Sequence, residues 1–528
     1  MAPRVLVADD LSAEGVRIMR DAGLEVDVKV GLKPEELEAV VGQYDGLAVR
    51  SATKVTAKVL EKAARLKVVG RAGVGVDNVD LPAATRRGVV VMNTPGGSSV
   101  TVAELTVAMM LALSRHIAQA TASIRGGKWE KKRFQGHELA GKTLGVVGIG
   151  NIGSVVVERC QGLKMRVVAY DPFISAEAAA RLGVELVPLE EIWRRSDVIS
   201  LHVPLTDQTR SLINARTLAA MKKGAFLVNC ARGGLVDEKA LAESLASGHL
   251  AGAALDVFEK EPVPADNPLL KLDTFICTPH IGASTEEAQA AVAVAIAEQM
   301  ATYLTQGVVK NAVNVPSLPR EAMERLGPYL ALAEKLGSLA AQLSPRGVQE
   351  VRVQYDGEIG EVPQQPLTAL VLKGFMQHLA EVPVNEVNAP AMAKERSIAV
   401  REVRTATAHD YASLITVTVR GESGETVAAG TVFGKQDPRI VQVNEIRLEA
   451  VPEGEIILCE NDDAPGVVGN IGTALGQAGV NIARISLGRR PDRSRAFSLI
   501  NVDSQPSPEA MERLRAIPHV RSVRTIRL

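Results

Sequence analysis

Short apolar runs alternate with amphipathic segments of helical period from residue 4 to about residue 310. The first apolar runs predict strands at 4–8, 25–28, 46–49, 67–69 and 89–92. After a predicted helix at 99–123, the alternation restarts with strands at 143–148, 166–170, 197–201, 225–229, 250–255 and 274–277. Strands separated by helices are typical of a parallel sheet covered on both faces. The pattern therefore predicts an α/β fold with two consecutive doubly wound parallel-sheet domains.

The pattern changes in the C-terminal part of the chain. A long helix is predicted at 284–306, and residues 311–319, which include two prolines, are predicted to form a linker. A helix at 320–343 follows. Alternating strands are then predicted at 350–355, 397–405, 413–420, 425–433 and 440–447. This part is therefore α+β, and residues 455–528 have the order of a ferredoxin-like βαββαβ unit.

The composition narrows the possible functions. Lys and Arg (60) and Asp and Glu (61) almost cancel over the 528 residues. The chain therefore has no overall attraction for nucleic-acid phosphates or anionic lipids. Aromatic residues make up only 3%, which fits an aliphatic core with parallel strands. We expect no nucleic-acid partner and no membrane partner.

The four cysteines, Cys160, Cys230, Cys277 and Cys459, are far apart and form no cluster with histidines. Their spacing predicts neither a disulfide framework nor a metal site, and it suits a reducing compartment. The N-terminal residues lack the apolar segment of a signal peptide, and no apolar stretch is long enough to span a bilayer. The sequence therefore predicts a soluble cytoplasmic protein.

The strongest chemical signal is GIGNIG at residues 148–153, which follows a predicted strand and opens a helix. Gly148 permits a tight turn, Gly150 lets a pyrophosphate approach the backbone, and Gly153 lets the helix pack on the strand. The free N–H groups of the helix then face the phosphates. Asp171 ends the next strand, where a carboxylate accepts hydrogen bonds from a ribose and repels a 2′-phosphate. These residues predict NAD as the cofactor.

Three further motifs each follow a predicted strand. They are residues 229–234 with Arg232, the acidic segment 256–262, and residues 278–283 with His280. The carboxyl ends of parallel strands share one edge of the sheet, so these groups are expected to lie close together. A histidine acts as acid or base, a carboxylate orients it, and an arginine binds a substrate carboxylate. The motifs predict a hydride-transfer site for a hydroxy acid.

Together these motifs resemble the D-2-hydroxyacid dehydrogenase family. The sequences VRSAT at 49–53, GRAGVGVDNVD at 70–80 and NTPGGS at 93–98 resemble the branch of the family that acts on 3-phosphoglycerate. The residues beyond about 320 resemble the long form of that branch, whose last unit is an ACT domain. The resemblance covers the whole chain and is most specific for residues 45–315.

The resemblance implies four domains. A substrate-binding domain is expected from 1–98 and 287–315, and an NAD-binding Rossmann domain from 99–286. An intervening α+β domain is expected from 316–452 and a regulatory ACT domain from 453–528. The implied activity is oxidation of 3-phosphoglycerate to 3-phosphooxypyruvate with NAD, the first step of L-serine biosynthesis. Feedback inhibition by L-serine and a homo-oligomer, dimer or tetramer, are implied as well.

The resemblance also implies roles for individual residues. His280 is the general acid/base, Glu261 its partner and Arg232 the substrate clamp; Glu261 is preferred to Glu259 because it directly precedes a proline. NAD contacts are expected at Val74, Gly148, Gly150, Asn151, Ile152, Gly153, Asp171, Val203, Cys230, Ala231, Arg232, Asp256, His280, Ile281, Gly282 and Ala283. Substrate contacts are expected at Arg50, Ser51, Arg71, Gly73, Val74, Gly75, Arg232 and His280. L-Serine contacts are expected at Asn461, Asp463 and, from a neighbouring subunit, Asn481.

Two positions depart from relatives. Val74 stands where some relatives have a threonine, so only a backbone contact with NAD is expected there. Asn461 stands where some serine-sensitive relatives carry an aromatic residue.

Other functions are open on the same resemblance. Reductases for glyoxylate or hydroxypyruvate and D-lactate dehydrogenases are alternatives, but such relatives generally end near residue 320. Reduction of 2-oxoglutarate is a further alternative. A co-repressor branch of NAD-sensing interaction proteins shares the fold but has no ACT unit. An amino-acid-binding regulator with a degenerate catalytic half is disfavoured because Arg232, Glu261 and His280 are all present.

Overall fold

The computed structural model describes residues 2–316, 320–406, 410–434 and 436–528, with only the backbone over 320–325. The end of the predicted linker, residues 317–319, lies outside the described residues. Four sheets organise the described chain, and the first two are fully parallel.

The first sheet has five strands. They are β1 (Arg4–Val7), β2 (Glu25–Val28), β3 (Gly46–Val49), β4 (Val68–Arg71) and β5 (Val90–Met92). The helices between them are α1 (Ala13–Asp21), α2 (Pro34–Val40), α3 (Ala57–Lys62) and α4 (Leu81–Arg86). The strand order is β2-β1-β3-β4-β5. The central strands are buried on both faces, which explains why their sequences are almost purely aliphatic.

The second sheet has seven strands. They are β6 (Thr143–Val147), β7 (Arg166–Tyr170), β8 (Glu185–Leu186), β9 (Val198–Leu201), β10 (Phe226–Asn229), β11 (Gly252–Leu255) and β12 (Phe275–Cys277). Its helices are α5 (Ser99–Ser114), α6 (Ile117–Arg125), α7 (Asn151–Gly162), α8 (Ala176–Arg181), α9 (Leu189–Arg195), α10 (Ala215–Ala220) and α11 (Glu238–Ala246). The strand order is β12-β11-β10-β9-β6-β7-β8. The loops after β10, β11 and β12 are therefore neighbours.

The chain returns to the first sheet after β12. Helix α12 (Glu286–Gln306) buries Ile296 and Met300 in the core of the first domain, against β1 and β4. Beyond it, the N–H of Val313 donates to the Val91 carbonyl beside β5. Two crossings thus join the α/β domains, one before α5 and one before α12. The region where the two domains face each other, at Asp77 and Arg232, is called the cleft here.

The third sheet is mixed and has six strands. They are β13 (Val348–Gly357), β14 (Ala399–Thr405), β15 (Ser413–Gly421), β16 (Gly424–Phe433), β17 (Asp437–Val443) and β18 (Ile446–Ala450). Its helices are α13 (Arg320–Leu343), α14 (Gln365–Met376) and α15 (Ala389–Glu395). The order is β14-β13-β15-β16-β17-β18, with β13 and β14 parallel and the other pairs antiparallel.

The fourth sheet is antiparallel. Its elements are β19 (Glu455–Asp462), α16 (Val467–Gln477), β20 (Ile482–Arg489), β21 (Arg495–Val502), α17 (Pro508–Arg515) and β22 (Val520–Arg527). The order β20-β21-β19-β22 and the alternation of elements confirm the predicted βαββαβ unit. One face of the sheet packs on α16 and α17, whereas Ile456, Leu499 and Ile526 on the other face join the core of the third domain. The last two domains therefore share one core.

Two predictions about elements were wrong, and two helices of the third domain were missed. The helix predicted at 99–123 is two helices, α5 and α6, which meet at 64° because His116 has a left-handed backbone with φ 53°. The strand predicted at 440–447 is a hairpin of β17 and β18, turning at Asn444 with φ 51°. Helices α14 and α15 were not predicted, although each carries a proline in its first turn, where proline is favoured.

No single helix in the described ranges is long and apolar enough to cross a bilayer. Only the bent pair α5 and α6 would reach the necessary length together.

Candidate active site

The glycine-rich turn connects β6 to α7. Gly148 has φ 94°, which favours glycine, and a Cβ there would lie 2.6 Å from the His202 carbonyl oxygen. A Cβ at Gly153 would overlap the Gly148 carbonyl oxygen. At Gly150, which precedes the first turn of α7, a Cβ would meet no protein atom within 4 Å, and no side chain caps the helix. The first N–H groups of α7 thus face open space that suits a pyrophosphate.

Asp171 lies at the end of β7, beside this turn. Its Oδ2 accepts a hydrogen bond from the Ile149 N–H (2.8 Å) and its Oδ1 one from the Phe173 N–H (2.8 Å). Each oxygen of a carboxylate has a second lone-pair direction, so the side chain is fixed and can still accept from a ribose.

His280 is carried by a turn that rests on a buried carboxylate. Asp256, 1% exposed, accepts hydrogen bonds from Thr278 Oγ1 (2.5 Å) and from the N–H groups of Ile281 (2.8 Å) and Gly282 (2.9 Å). His280 itself has a left-handed backbone with φ 53°. Asp256 therefore fixes the direction in which the imidazole leaves the turn.

The imidazole of His280 contacts Glu261. Nδ1 lies 2.7 Å from Glu261 Oε2, while Glu261 Oε1 accepts the Phe258 N–H (3.0 Å). The backbone of Glu259 instead donates to Glu238 Oε1 (2.7 Å). With Nδ1 facing a carboxylate, Nε2 is the nitrogen left for a substrate hydroxyl. The imidazole is half exposed, so that nitrogen can be reached from the cleft.

Arg232 follows β10, and its turn is held by Asn229. Asn229 Nδ2 donates to the Arg232 carbonyl (2.9 Å), and its Oδ1 accepts the Ala231 N–H (3.0 Å). The Arg232 side chain crosses towards the first domain, where Nε lies 3.2 Å from Asp77 Oδ2. Its Nη1 donates to the Ala231 carbonyl (2.7 Å).

Two arginines of the first domain point to the same region. A Cβ at Gly73, which has φ 147°, would overlap Nη1 of Arg71, and a Cβ at Gly75 would overlap Nη2 of Arg232. Burial, together with the positive charges of Arg232 and Arg50, lowers the pKa of Arg71, while Asp77 raises it. Nε of Arg71 is buried and has no hydrogen-bond partner among the described residues. A buried donor without a partner beside like charges indicates a site for an anion.

Arg50 is held by its backbone. Its N–H donates to Asp9 Oδ2 (2.6 Å), its carbonyl accepts from Asn78 Nδ2 (2.7 Å), and its Nη1 donates to the Asp10 carbonyl (2.9 Å). Asp9 is 5% exposed and also binds Thr53. These bonds use one nitrogen of the Arg50 guanidinium, Nη1, and no described residue binds Nε or Nη2.

The other predicted contact residues lie around these groups. Val203 packs against Gly148, and the Val74 carbonyl accepts from Asn93 Nδ2 (2.5 Å). Cys230 is buried, and burial raises the pKa of its thiol to about 12, so it is no nucleophile. Asn151 and Ile152 open α7, and Ser51, Ile281 and Ala283 are exposed.

Sequence reasoning missed five residues that support the site: Asp9, Asp77, Asn78, Asn93 and Asn229. All of them except Asp9 are within the motifs quoted for the resemblance, but a sequence does not show which group a polar side chain will bind. Among the described residues, no group of three or more His, Cys, Asp or Glu side chains could hold a metal ion.

The three predicted L-serine contacts have separate partners within the chain. Asp463 Oδ1 lies 3.4 Å from Arg489 Nε, and Asn481 Nδ2 donates to Asp503 Oδ2 (2.6 Å). Asn461 is 2% exposed and its Nδ2 donates to the Asp462 carbonyl (2.7 Å). The turn before α16 has no side-chain cap, and Gly466 has φ 87°.

Three family models match the chain. They are the D-isomer specific 2-hydroxyacid dehydrogenase NAD binding domain over residues 107–282, the D-3-phosphoglycerate dehydrogenase intervening domain over 325–444, and the ACT domain over 456–519.

Relatives match along the whole length. D-3-phosphoglycerate dehydrogenase of Methanocaldococcus jannaschii is 44% identical over 99% of this chain and 100% of its own, and that of Bacillus subtilis is 39% identical over 99% of each chain. Among solved structures, NAD+-bound 3-phosphoglycerate dehydrogenase of Entamoeba histolytica has a TM-score of 0.51 and 31% identity, covering 60% of this chain and 100% of that chain. A Thermus thermophilus protein has a TM-score of 0.54 and 40% identity, covering 59% and 99%.

These matches bear out the predicted fold class, NAD as cofactor, and an NAD-dependent dehydrogenase. The chain belongs to the D-3-phosphoglycerate dehydrogenases of the D-2-hydroxyacid dehydrogenase family, in the long form with an intervening domain and an ACT domain.

Proposed function

We propose that the chain oxidises 3-phospho-D-glycerate to 3-phosphooxypyruvate with NAD in L-serine biosynthesis, and that L-serine inhibits it at the ACT domain. The grouping of Arg50, Arg71 and Arg232, with the His280–Glu261 pair on the loops next to that of Arg232, carries this proposal. The substrate has a phosphate and a carboxylate, and guanidinium groups bind both through paired hydrogen bonds.

His280 is the proposed base. Nε2 accepts the proton of the C2 hydroxyl, and the resulting imidazolium is stabilised by Glu261 on Nδ1. NAD bound at the glycine-rich turn would supply the acceptor for the hydride of C2. Arg232 holds the carboxylate next to C2, so the hydroxyl is aimed at His280, and this positioning supplies much of the rate acceleration.

The phosphate is assigned to Arg50 and Arg71. The buried Nε of Arg71 supports this assignment because a phosphate oxygen would satisfy a donor that otherwise costs free energy. The NAD contacts proposed at the glycine-rich turn are supported by the open space at Gly150.

Arg50→Ala tests the phosphate assignment. The KM for 3-phosphoglycerate should rise much more than the KM for D-glycerate, because only the former loses a charged donor. Arg20→Ala, which removes an exposed arginine from α1, is the control. Equal effects of Arg50→Ala on both substrates would contradict the assignment.

The assembly proposal rests on an exposed apolar surface. Helix α6 buries no residue, and Ile117, Ile124 and Trp129 are 54%, 53% and 85% exposed. These three side chains come from one short stretch of the chain, and large exposed apolar patches are typical of protein–protein interfaces. We assign this surface to a homodimer through the NAD domain, and further association through the ends of the chain would make a tetramer.

We also propose the domain limits and the cytoplasmic location that the sequence predicts. The substrate domain is assigned to 1–98 and 287–315, with the other limits as expected from the sequence, and the return of α12 to the first sheet supports the discontinuous first domain. Four free cysteines suit a cytoplasmic enzyme.

A further inference from the structure

Asp77 lies opposite Arg232 across the cleft. It belongs to the loop that follows β4 in the first domain, whereas Arg232 follows β10 in the second. Oδ2 of Asp77 is 3.2 Å from Nε of Arg232. Gly75 lies under this pair, because a Cβ there would be 2.7 Å from Asp77 Oδ2 and would overlap Nη2 of Arg232. The contact between Asp77 and Arg232 therefore requires that residue 75 has no side chain.

The contact uses the edge of the guanidinium that a carboxylate ligand would use. A carboxylate pairs with arginine through two parallel N–H groups. Nη1 of Arg232 is already committed to the Ala231 carbonyl, so the edge formed by Nε and Nη2 is the one available for such a pair. Asp77 Oδ2 is bound at that edge.

The contact is also easily broken. The Asp77 side chain is 75% exposed, and exposed ion pairs contribute little net stability. A substrate carboxylate can therefore replace the Asp77 carboxylate on Arg232, and the Asp77 side chain then rotates out into solvent.

We propose that Asp77 occupies the carboxylate position on Arg232 in the substrate-free protein, that the substrate carboxylate displaces it, and that Asp77 thereby sets the affinity for anionic 2-hydroxy acids. The inference rests on the proposed role of Arg232 as substrate clamp. Asp77 is then a positioning and specificity residue whose charge keeps simple anions off Arg232, while a ligand that also engages Arg50 and Arg71 can outcompete it.

If Asp77 instead oriented Arg232 for the substrate, its removal would change the KM in the opposite direction. If Asp77 stayed in place and aimed Arg232 at the substrate, its removal would raise the KM and lower kcat. If Asp77 is displaced, its removal lowers the KM and does not lower kcat, because the competitor is absent in both the bound and the transition states.

The test compares Asp77→Asn with the native enzyme. The KM for 3-phosphoglycerate should fall by about 2- to 5-fold, the range expected for loss of one exposed ion pair. The KM for NAD should not change. Asp77→Glu, which keeps the charge, should not show the fall, and Asp77→Ser should show it if Asp77→Asn folds poorly.

Asp10→Asn is the matched control, because Asp10 is an exposed carboxylate in the loop next to Arg50. A general increase in positive potential would lower the KM in both variants, whereas displacement predicts the fall only at position 77. A KM that rises, stays unchanged, or falls equally in both variants would overturn the inference.

Binding of tartronate, a hydroxy dicarboxylate without phosphate, separates this inference from the proposed function. Calorimetry on the NAD-loaded protein should show tighter tartronate binding by Asp77→Asn whether or not 3-phosphoglycerate is turned over. A native enzyme inactive on 3-phosphoglycerate with this gain intact would refute only the function. Unchanged tartronate affinity in an active enzyme would refute only the role of Asp77.

Discussion

His280 and Glu261 come together because the loops after β11 and β12 are neighbours at one edge of the second sheet. The sequence indicates that each residue follows a strand, and the order of the strands in the sheet then brings the two residues into contact. Two glutamates of the same loop were candidates for the partner. Glu261 reaches Nδ1 of His280, whereas Glu259 is exposed and its backbone binds Glu238.

This difference gives a paired prediction. Glu261→Gln keeps the shape of the side chain but removes the charge that stabilises the imidazolium, so kcat should fall by about 10²-fold or more. Glu259→Gln should leave kcat close to the native value. Steady-state kinetics with 3-phosphoglycerate measure both, and a larger loss in Glu259→Gln would reverse the assignment.

Residues with a motif were predictable, and residues that act through a distant backbone group were not. GIGNIG, Asp171, Arg232 and His280 follow strands at fixed positions, so their chemistry is visible in the sequence. Asp9 holds Arg50 from 41 positions away, and nothing in the sequence marks that contact. Likewise, Asn461 appears polar in the sequence but is buried in the sheet.

Among the elements of the site, the loop after β4 lets an arginine side chain pack directly on its backbone. Gly73 has φ 147° and its missing Cβ makes room for the Arg71 guanidinium. Gly73 is therefore required for two reasons. Its backbone conformation is one that residues with a side chain rarely adopt, and its contact with Arg71 leaves no room for a Cβ.

Gly73→Ala should therefore displace Arg71 and raise the KM for 3-phosphoglycerate, while NAD binding is retained. Gly96→Ala is a matched control, since Gly96 also has a positive φ (87°) but its Cβ would meet no atom within 4 Å. If both variants lost stability equally and Gly73→Ala kept a native KM, the close packing of Arg71 on Gly73 would have no functional weight.

Elements with a regular apolar period were predicted well, and breaks without glycine or proline were not. The division of residues 99–123 into α5 and α6 depends on a left-handed His116, a conformation for which histidine gives only a weak signal. The hairpin at Asn444 was missed because apolar alternation continues through both of its strands.

At the scale of the whole molecule, the C-terminal half is connected to the catalytic half through packing. The fourth sheet shares a core with α13 and α14, and Gln342 of α13 both donates to and accepts from the backbone of Arg527. The segment before α15 then contacts the first domain, where Asn385 Nδ2 donates to the Gly88 carbonyl (2.7 Å) and Val387 is buried. The ACT domain is thus joined to the substrate domain by continuous packing through the third domain.

The proposed inhibition by L-serine is tested by measuring turnover with and without L-serine. L-Serine at millimolar concentration should slow turnover, with a coupling free energy of roughly 1–3 kcal/mol. Asp463→Ala should abolish that response and leave uninhibited activity nearly intact, because Asp463 belongs to the ACT domain and its one ion pair among the described residues is with Arg489 of the same domain. An enzyme that neither binds nor responds to L-serine would make the ACT domain an assembly module.

The proposed dehydrogenase activity is tested by the initial rate of NADH formation by the purified protein with NAD and a panel of hydroxy acids. We expect a kcat/KM for 3-phosphoglycerate well above those for D-glycerate and D-lactate. We also expect His280→Ala to lose about 10²–10⁴-fold in kcat while still binding NAD. No NADH from 3-phosphoglycerate, a higher kcat/KM for an unphosphorylated acid, or near-native turnover by His280→Ala would refute the proposed function.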